Sequence, residues 1–148
     1  MIFVEASLPV ARERLVVLTD DAQLIEAAKL LRNTGTDIVV ICDVDGVLAG
    51  VVTKTNVVEQ ISRCQGCGCT TAVSSVMVRD VLACRPGDRM DEVWSKMKTR
   101  GLKNVPVTDE DSRPVGVLNA RDALQALMQE VEYEEALLRD YVMTVGYR

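Results

Sequence analysis

Slid against itself by 66 residues, this chain aligns without a gap from Leu8 with Ser74 to Ile61 with Leu127. Identical pairs include Val10 with Val76, Glu26 with Glu92, Gly35 with Gly101, Val39 with Val105, Asp43 with Asp109, Gly50 with Gly116, and Val51 with Val117. Leu24 with Met90, Ala27 with Val93, and Leu31 with Met97 are apolar in both copies. The matched positions are those where backbone geometry or packing dictates residue type. A chain of this kind folds as two copies of one unit of about 55 residues.

Each copy reads as β-α-β-β-α. In the first, residues 15–18 (LVVL) form a short strand, Asp20 and Asp21 stand as helix N-caps, and Leu24, Ala27, Ala28 and Leu31 form a helical stripe that Gly35 ends. Residues 38–41 (IVVI) form a buried strand, 43–46 (DVDG) a turn, and 47–52 (VLAGVV) the returning strand of a hairpin. A second helix starts near Thr55.

The second copy repeats this order with a strand over 81–84, a helix from Asp88 to Thr99, Gly101 as its stop, strands over 105–107 and 115–118, and a helix from Ala120. The expected units are a repeat over 8–62, a linker over 63–73, a repeat over 74–128 and a helical extension over 129–148. The extension carries Val131, Leu138, Tyr141, Val142 and Val145 at roughly helical spacing.

Composition narrows the function. With 48% hydrophobic residues but only one Trp, one Phe and three Tyr, the core is aliphatic, and Trp94 is expected to pack rather than to bind. A net charge of -5 disfavours nucleic acid as a partner. The opening MIFVEASLPVARER lacks the basic start and apolar run of a signal peptide, and no apolar stretch approaches a membrane span, so a cytoplasmic location is expected. The five cysteines are then reduced thiols.

Cys64, Cys67 and Cys69 form a C-x2-C-x-C phrase that offers three thiolates to zinc or to redox chemistry. A tetrahedral site needs a fourth ligand, and the chain has no His. The phrase therefore reads as an ordinary linker, no metal is expected, and a thiol-based sensor stays as an alternative. Without a His, a nucleophile elbow or a P-loop, the chain is not expected to be an enzyme.

The pattern resembles the cystathionine β-synthase (CBS) domain, a β-α-β-β-α unit that occurs in pairs. VMVRDVLACRPGD is similar to the family's opening Val-Met-Thr phrase, and KNVPVTDEDSRPVGVLNARD to its Pro-Val-x-Asp hairpin and closing Gly-x-x-Thr-x-x-Asp. The resemblance implies an α/β (α+β) fold of tandem repeats in one pseudo-two-fold module, here with a C-terminal helix. It implies a regulatory module whose clefts bind an adenosine-containing ligand: AMP, ATP, NAD or S-adenosylmethionine. It also implies a face-to-face homodimer and an effector protein as partner. A module with degenerate clefts that serves only dimerisation is the alternative.

The closing phrase appears as GVVTKTN at 50–56 and GVLNARD at 116–122, each ending a strand and opening a helix. Helix N-termini attract anions. By the resemblance, Asn56 and Asp122 take the ribose position, and Thr53 and Asn119 the hydroxyl position. Lys54 and Arg121 lie on the same helix starts, where they are suited to phosphate. The resemblance adds Lys103 and Asn104 as phosphate contacts. It lines the adenine slot with Ile38 and Val39 in one copy and Asn104 and Val105 in the other, and it places Thr19 and Arg85 in the same cleft. Since one copy closes with Thr53 and Asn56 and the other with Asn119 and Asp122, two unequal clefts are expected.

Overall fold

The computed structural model describes residues 1–63 and 70–146, with side chains as far as 143. A 3-10 turn over Val4–Ser7 leads into α1 (Leu8–Glu13). The first repeat then runs β1 (Val17–Thr19), α2 (Leu24–Thr34), β2 (Ile38–Cys42), β3 (Leu48–Thr53) and α3 (Lys54–Arg63). The second runs α4 (Met90–Arg100), β4 (Asn104–Thr108), β5 (Pro114–Asn119) and α5 (Ala120–Gly146). The Cys64, Cys67 and Cys69 phrase lies outside the described residues.

The duplication holds rung by rung. Ile38 pairs with Thr53 and Cys42 with Leu48 in one hairpin, and Asn104 with Asn119 and Thr108 with Pro114 in the other. Both hairpins close on the same device. Asp43 Oδ1 accepts the N–H groups of Asp45 and Val47 at 2.9 and 3.0 Å, and Asp109 Oδ1 accepts those of Asp111 and Arg113 at 2.9 and 3.0 Å. This accounts for the identical aspartates. Gly35 and Gly101 take φ of 69° and 65° and stop α2 and α4, a left-handed conformation that costs a side-chain-bearing residue energy.

Two expectations are corrected. Helix α2 starts three residues after Asp21, and its N-cap is Gln23, whose N–H bonds Glu26 Oε2 at 2.8 Å in a capping box. The strand expected over 81–84 shrinks to a single parallel bridge, Cys84 with Val107, the counterpart of Leu18 with Ile41 in β1. Prolines explain the loss. In the first repeat the N–H groups of Val40 and Asp20 donate to Val16 and Cys42 carbonyls at 2.8 and 2.9 Å. Their counterparts are Pro106 and Pro86, which have no N–H to give.

The repeats exchange their opening segments. Val4 and Ala11, which precede β1, are buried in the core of the second repeat with Met90, Val93, Met97, Val105 and Leu118. Val73 and Met77, which precede α4, are buried with Leu24, Ala27, Leu31, Val39 and Val52 of the first repeat. Backbone bonds match this exchange: Val4 N–H donates to Asp88 O and Met90 N–H to Ile2 O, while Val73 N–H donates to Ala22 O and Leu24 N–H to Thr71 O. Residues 71–73 of the expected linker are therefore bonded to the first repeat. A middle layer of Ile38, Val40, Val51 and Val117 joins the two sheets.

Trp94 packs against the core of the second repeat. The expected C-terminal extension is continuous with the last helix of the repeat, so that α5 runs unbroken for 27 residues. Its outer apolar row, Val131, Leu138, Tyr141 and Val142, is exposed.

Candidate functional site

A cavity of about 450 Å³ lies between the repeats, within the roughly 300–1,000 Å³ of small-molecule sites. Strand alternation decides who lines it. Ile38 on β2, and Asn104 and Pro106 on β4, face it, as do Val51, Val78, Leu82 and Leu102. Val39 and Val105 alternate to the other face of their strands and are fully buried in the two cores. Neither lines the cavity, whereas Ile38 and Asn104 do.

The start of α3 supplies the polar side. Thr53 ends β3 and caps the helix, its Oγ1 accepting the Asn56 N–H at 3.3 Å, while Asn56 Oδ1 accepts the Thr53 N–H at 2.9 Å and its hydroxyl at 3.0 Å. This reciprocal cap holds both side chains at the cavity wall and directs the positive end of α3 toward it.

Lys54, Arg100 and Lys103 add three cations. Lys54 Nζ stands 3.3 Å from Asp37, and Arg100 Nη2 stands 3.2 Å from Asp80. Both pairs are solvent-exposed, so each contributes at most about 1 kcal/mol and yields readily to a competing anion. Lys103 makes no ion pair among the described residues.

The residues matching Thr53 and Asn56 in the second repeat are arranged differently. Asn119 Oδ1 caps α5 by accepting the Arg121 N–H at 2.9 Å, and its amide Nδ2 donates to Asn104 Oδ1 at 3.1 Å. Asp122 is held by Arg14, whose Nε and Nη2 donate to its two oxygens at 2.9 and 3.3 Å. The carboxylate assigned to a ribose is thus already bonded, and Asn119, Arg121 and Asp122 do not line the cavity.

Thr19 and Arg85 are not brought to the cavity. Thr19 sits beside Cys42, four residues along β2 from Ile38, a separation of about 13 Å. Its hydroxyl donates to Asp21, and the Arg85 N–H donates to Asp88 Oδ2 at 2.9 Å in the matching turn.

Of the expected site residues, the cavity collects Ile38, Thr53, Lys54, Asn56, Lys103 and Asn104. Missing from the sequence reading were Asp37, Asp80, Arg100 and most of the apolar wall. The register of the repeat held a signal for one of them, since Asp37 is the counterpart of Lys103.

Cys42 and Cys84 are buried free thiols. Burial raises both above the usual thiol range, with nearby Asp43 and Asp88 adding to it, and Cys84 reaches about 12. Near neutral pH neither offers a thiolate to a metal. Among the described residues no group of three Cys, Asp or Glu is placed to hold a metal ion, and no helix is long and apolar enough to cross a membrane.

The model of the CBS domain matches twice, over residues 6–63 and 73–129. The choline transport ATP-binding protein OpuBA of Bacillus subtilis is 30% identical over 83% of this chain, but the match spans only 31% of that protein. The CBS-domain protein ATU1752 of Agrobacterium tumefaciens has 26% identity and a TM-score of 0.73, covering 84% of this chain and 92% of its own. CBSX2 in complex with AMP has 20% identity and a TM-score of 0.74, covering 87% and 98%. The CBS domain pair of MJ0100, in complex with 5′-methylthioadenosine and S-adenosylmethionine, has 21% identity and a TM-score of 0.73, covering 88% and 98%.

Proposed function

Because this chain belongs to the CBS-domain family and carries two of its repeats, we propose that it is a regulatory module that binds an adenosine-containing ligand in the cavity around Thr53 and Asn56. The carrying observation is the make-up of that cavity. An apolar wall suits a purine, a capped helix N-terminus suits an anion, and three cations stand around them. That CBSX2 was crystallised with AMP, and the MJ0100 pair with two adenosine compounds, supports the ligand class.

Both repeats contribute to the cavity, with Thr53 and Asn56 on one side and Lys103 and Asn104 on the other. A ligand bridging them favours one arrangement of the repeats over others, and the population shifts accordingly. No bond is broken in this role. The reading carries with it an effector protein, or a second copy of the chain, that senses the arrangement, and a cytoplasmic location.

A homodimer is part of the same proposal. Val58 and Ile61 on α3 and Leu124 and Met128 on α5 are exposed apolar residues, and Leu124 is the repeat counterpart of Val58. They give the two halves similar outer faces, as a two-fold interface requires.

Melting the protein with AMP, ATP, NAD and S-adenosylmethionine in turn tests the ligand class. At 100 times the dissociation constant a true ligand adds about 2.7 kcal/mol. If none of the four raises the melting temperature, the module acts without an adenosine ligand.

A further inference from the structure

The cavity lacks the group that a ribose needs if Asn56 alone serves it. Asn56 Oδ1 already accepts two hydrogen bonds from Thr53, at 2.9 and 3.0 Å, which uses both lone pairs and leaves the side chain only its Nδ2 donors. A vicinal diol presents two hydroxyl hydrogens, which the two oxygens of a carboxylate accept together.

The duplication shows where that carboxylate has gone. Arg14 in the first repeat corresponds to Asp80 in the second, and Asp122 in the second corresponds to Asn56 in the first. Arg14 reaches Asp122 at 2.9 and 3.3 Å, so the two sequence positions face each other between the repeats. The matching positions in the open cavity hold Asp80 and Asn56, and both line it. One carboxylate is present in each arrangement, on opposite walls. On the Arg14 side it is spent on an internal ion pair, whereas Asp80 gives only Oδ2 to Arg100, at 3.2 Å, and its Oδ1 has no hydrogen bond among the described residues.

Resting on the nucleotide reading of this cavity, we infer that Asp80 accepts the hydroxyls of the ligand's ribose diol, with the Asn56 amide donating from the opposite wall. Asp80 is thereby the residue that selects ribo- over deoxyribo-ligands. Arg100, its present partner, turns to the ligand's anionic group when Asp80 is engaged.

The test is calorimetric titration of the wild-type chain and of Asp80→Asn with AMP and with 2′-deoxy-AMP. Wild type is expected to bind AMP about tenfold more tightly than the deoxy compound, the worth of a charge-assisted hydrogen bond. In Asp80→Asn that preference disappears and AMP weakens to the level of 2′-deoxy-AMP, while the ligand-free melting temperature is unchanged because the side chain is 92% exposed. An undiminished preference for AMP in Asp80→Asn overturns the inference alone. Equal affinity of wild type for the two compounds does the same. Failure of wild type to bind either one removes AMP as the cavity's ligand, and the inference falls with it.

Discussion

Replacing Gly50 or Gly116 by alanine should destabilise the protein, although neither glycine needs a left-handed backbone. Both have ordinary φ, so alanine would by itself add about 0.4–1 kcal/mol by restricting the unfolded chain. Opposing this is the exchange of segments between repeats. A Cβ on Gly50 meets the Val78 carbonyl oxygen at 2.7 Å and Met77 Sδ at 2.8 Å, and one on Gly116 meets Ala11 C and Cβ at 2.9 Å. The sulfur can move, but the carbonyl cannot do so cheaply. Val78 O accepts the Val51 N–H at 3.0 Å and Val78 N–H donates to Val51 O at 2.9 Å, so retreat weakens two backbone bonds of about 1 kcal/mol each. Overpacking of this kind costs about 1–3 kcal/mol. A net loss of about 1.3 kcal/mol is expected at either site. With an unfolding entropy of about 0.3 kcal/mol/K for a chain of this length, that lowers the melting temperature by about 4 °C. Thermal melts followed by far-ultraviolet circular dichroism measure it. Gly87, whose added Cβ meets nothing within 4 Å, is the control, and Gly87→Ala should be neutral or slightly stabilising. Should Gly50→Ala and Gly116→Ala melt at or above the wild type, the close approach between each hairpin and the opening segment of the other repeat is wrong.

Two further outcomes follow from the cores and the thiols. Leu24 and Met90, repeat counterparts buried to 2% and 0% exposure, should each cost about 2–5 kcal/mol when changed to alanine, measured by urea denaturation. A small effect at either would mean that its core collapses onto the space. Burial raises the Cys84 thiol to about 12 against an ordinary 9.0, so its contribution to stability is complete below pH 9 and is lost as pH rises toward 12, where the unfolded chain releases the proton first. Stability measured across that range should fall less steeply in Cys84→Ala than in wild type. Equal slopes would show that the thiol titrates normally in the folded protein.

The family and the doubled architecture are legible in the residues alone, since they depend on local rules that the chain states twice. Gly35 and Gly101 stop helices because left-handed backbone suits glycine, and Asp43 and Asp109 close hairpins because a short carboxylate bonds the turn's own N–H groups. β2 is an unbroken apolar run, so its sequence offers no alternation from which to tell that Ile38 faces a cavity and Val39 a core. Face assignment needs the neighbouring layers.

Tertiary structure decided the rest. A strand over 81–84 reads as well as one over 15–18 until Pro86 and Pro106 are seen at the positions where Asp20 and Val40 donate their ladder bonds. The identity of Gly50 with Gly116 marks close approach, but only the exchanged segments show that Val78 and Ala11 are what approaches. The two closing phrases differ in sequence because Asn56 stands against Asp122. They come to differ in chemistry because residues 108 positions apart meet: Arg14 satisfies Asp122, while Asp80 faces the open cavity. Local sequence sets the backbone's choices residue by residue, whereas a binding site is made of side chains from distant segments, and only packing brings those together.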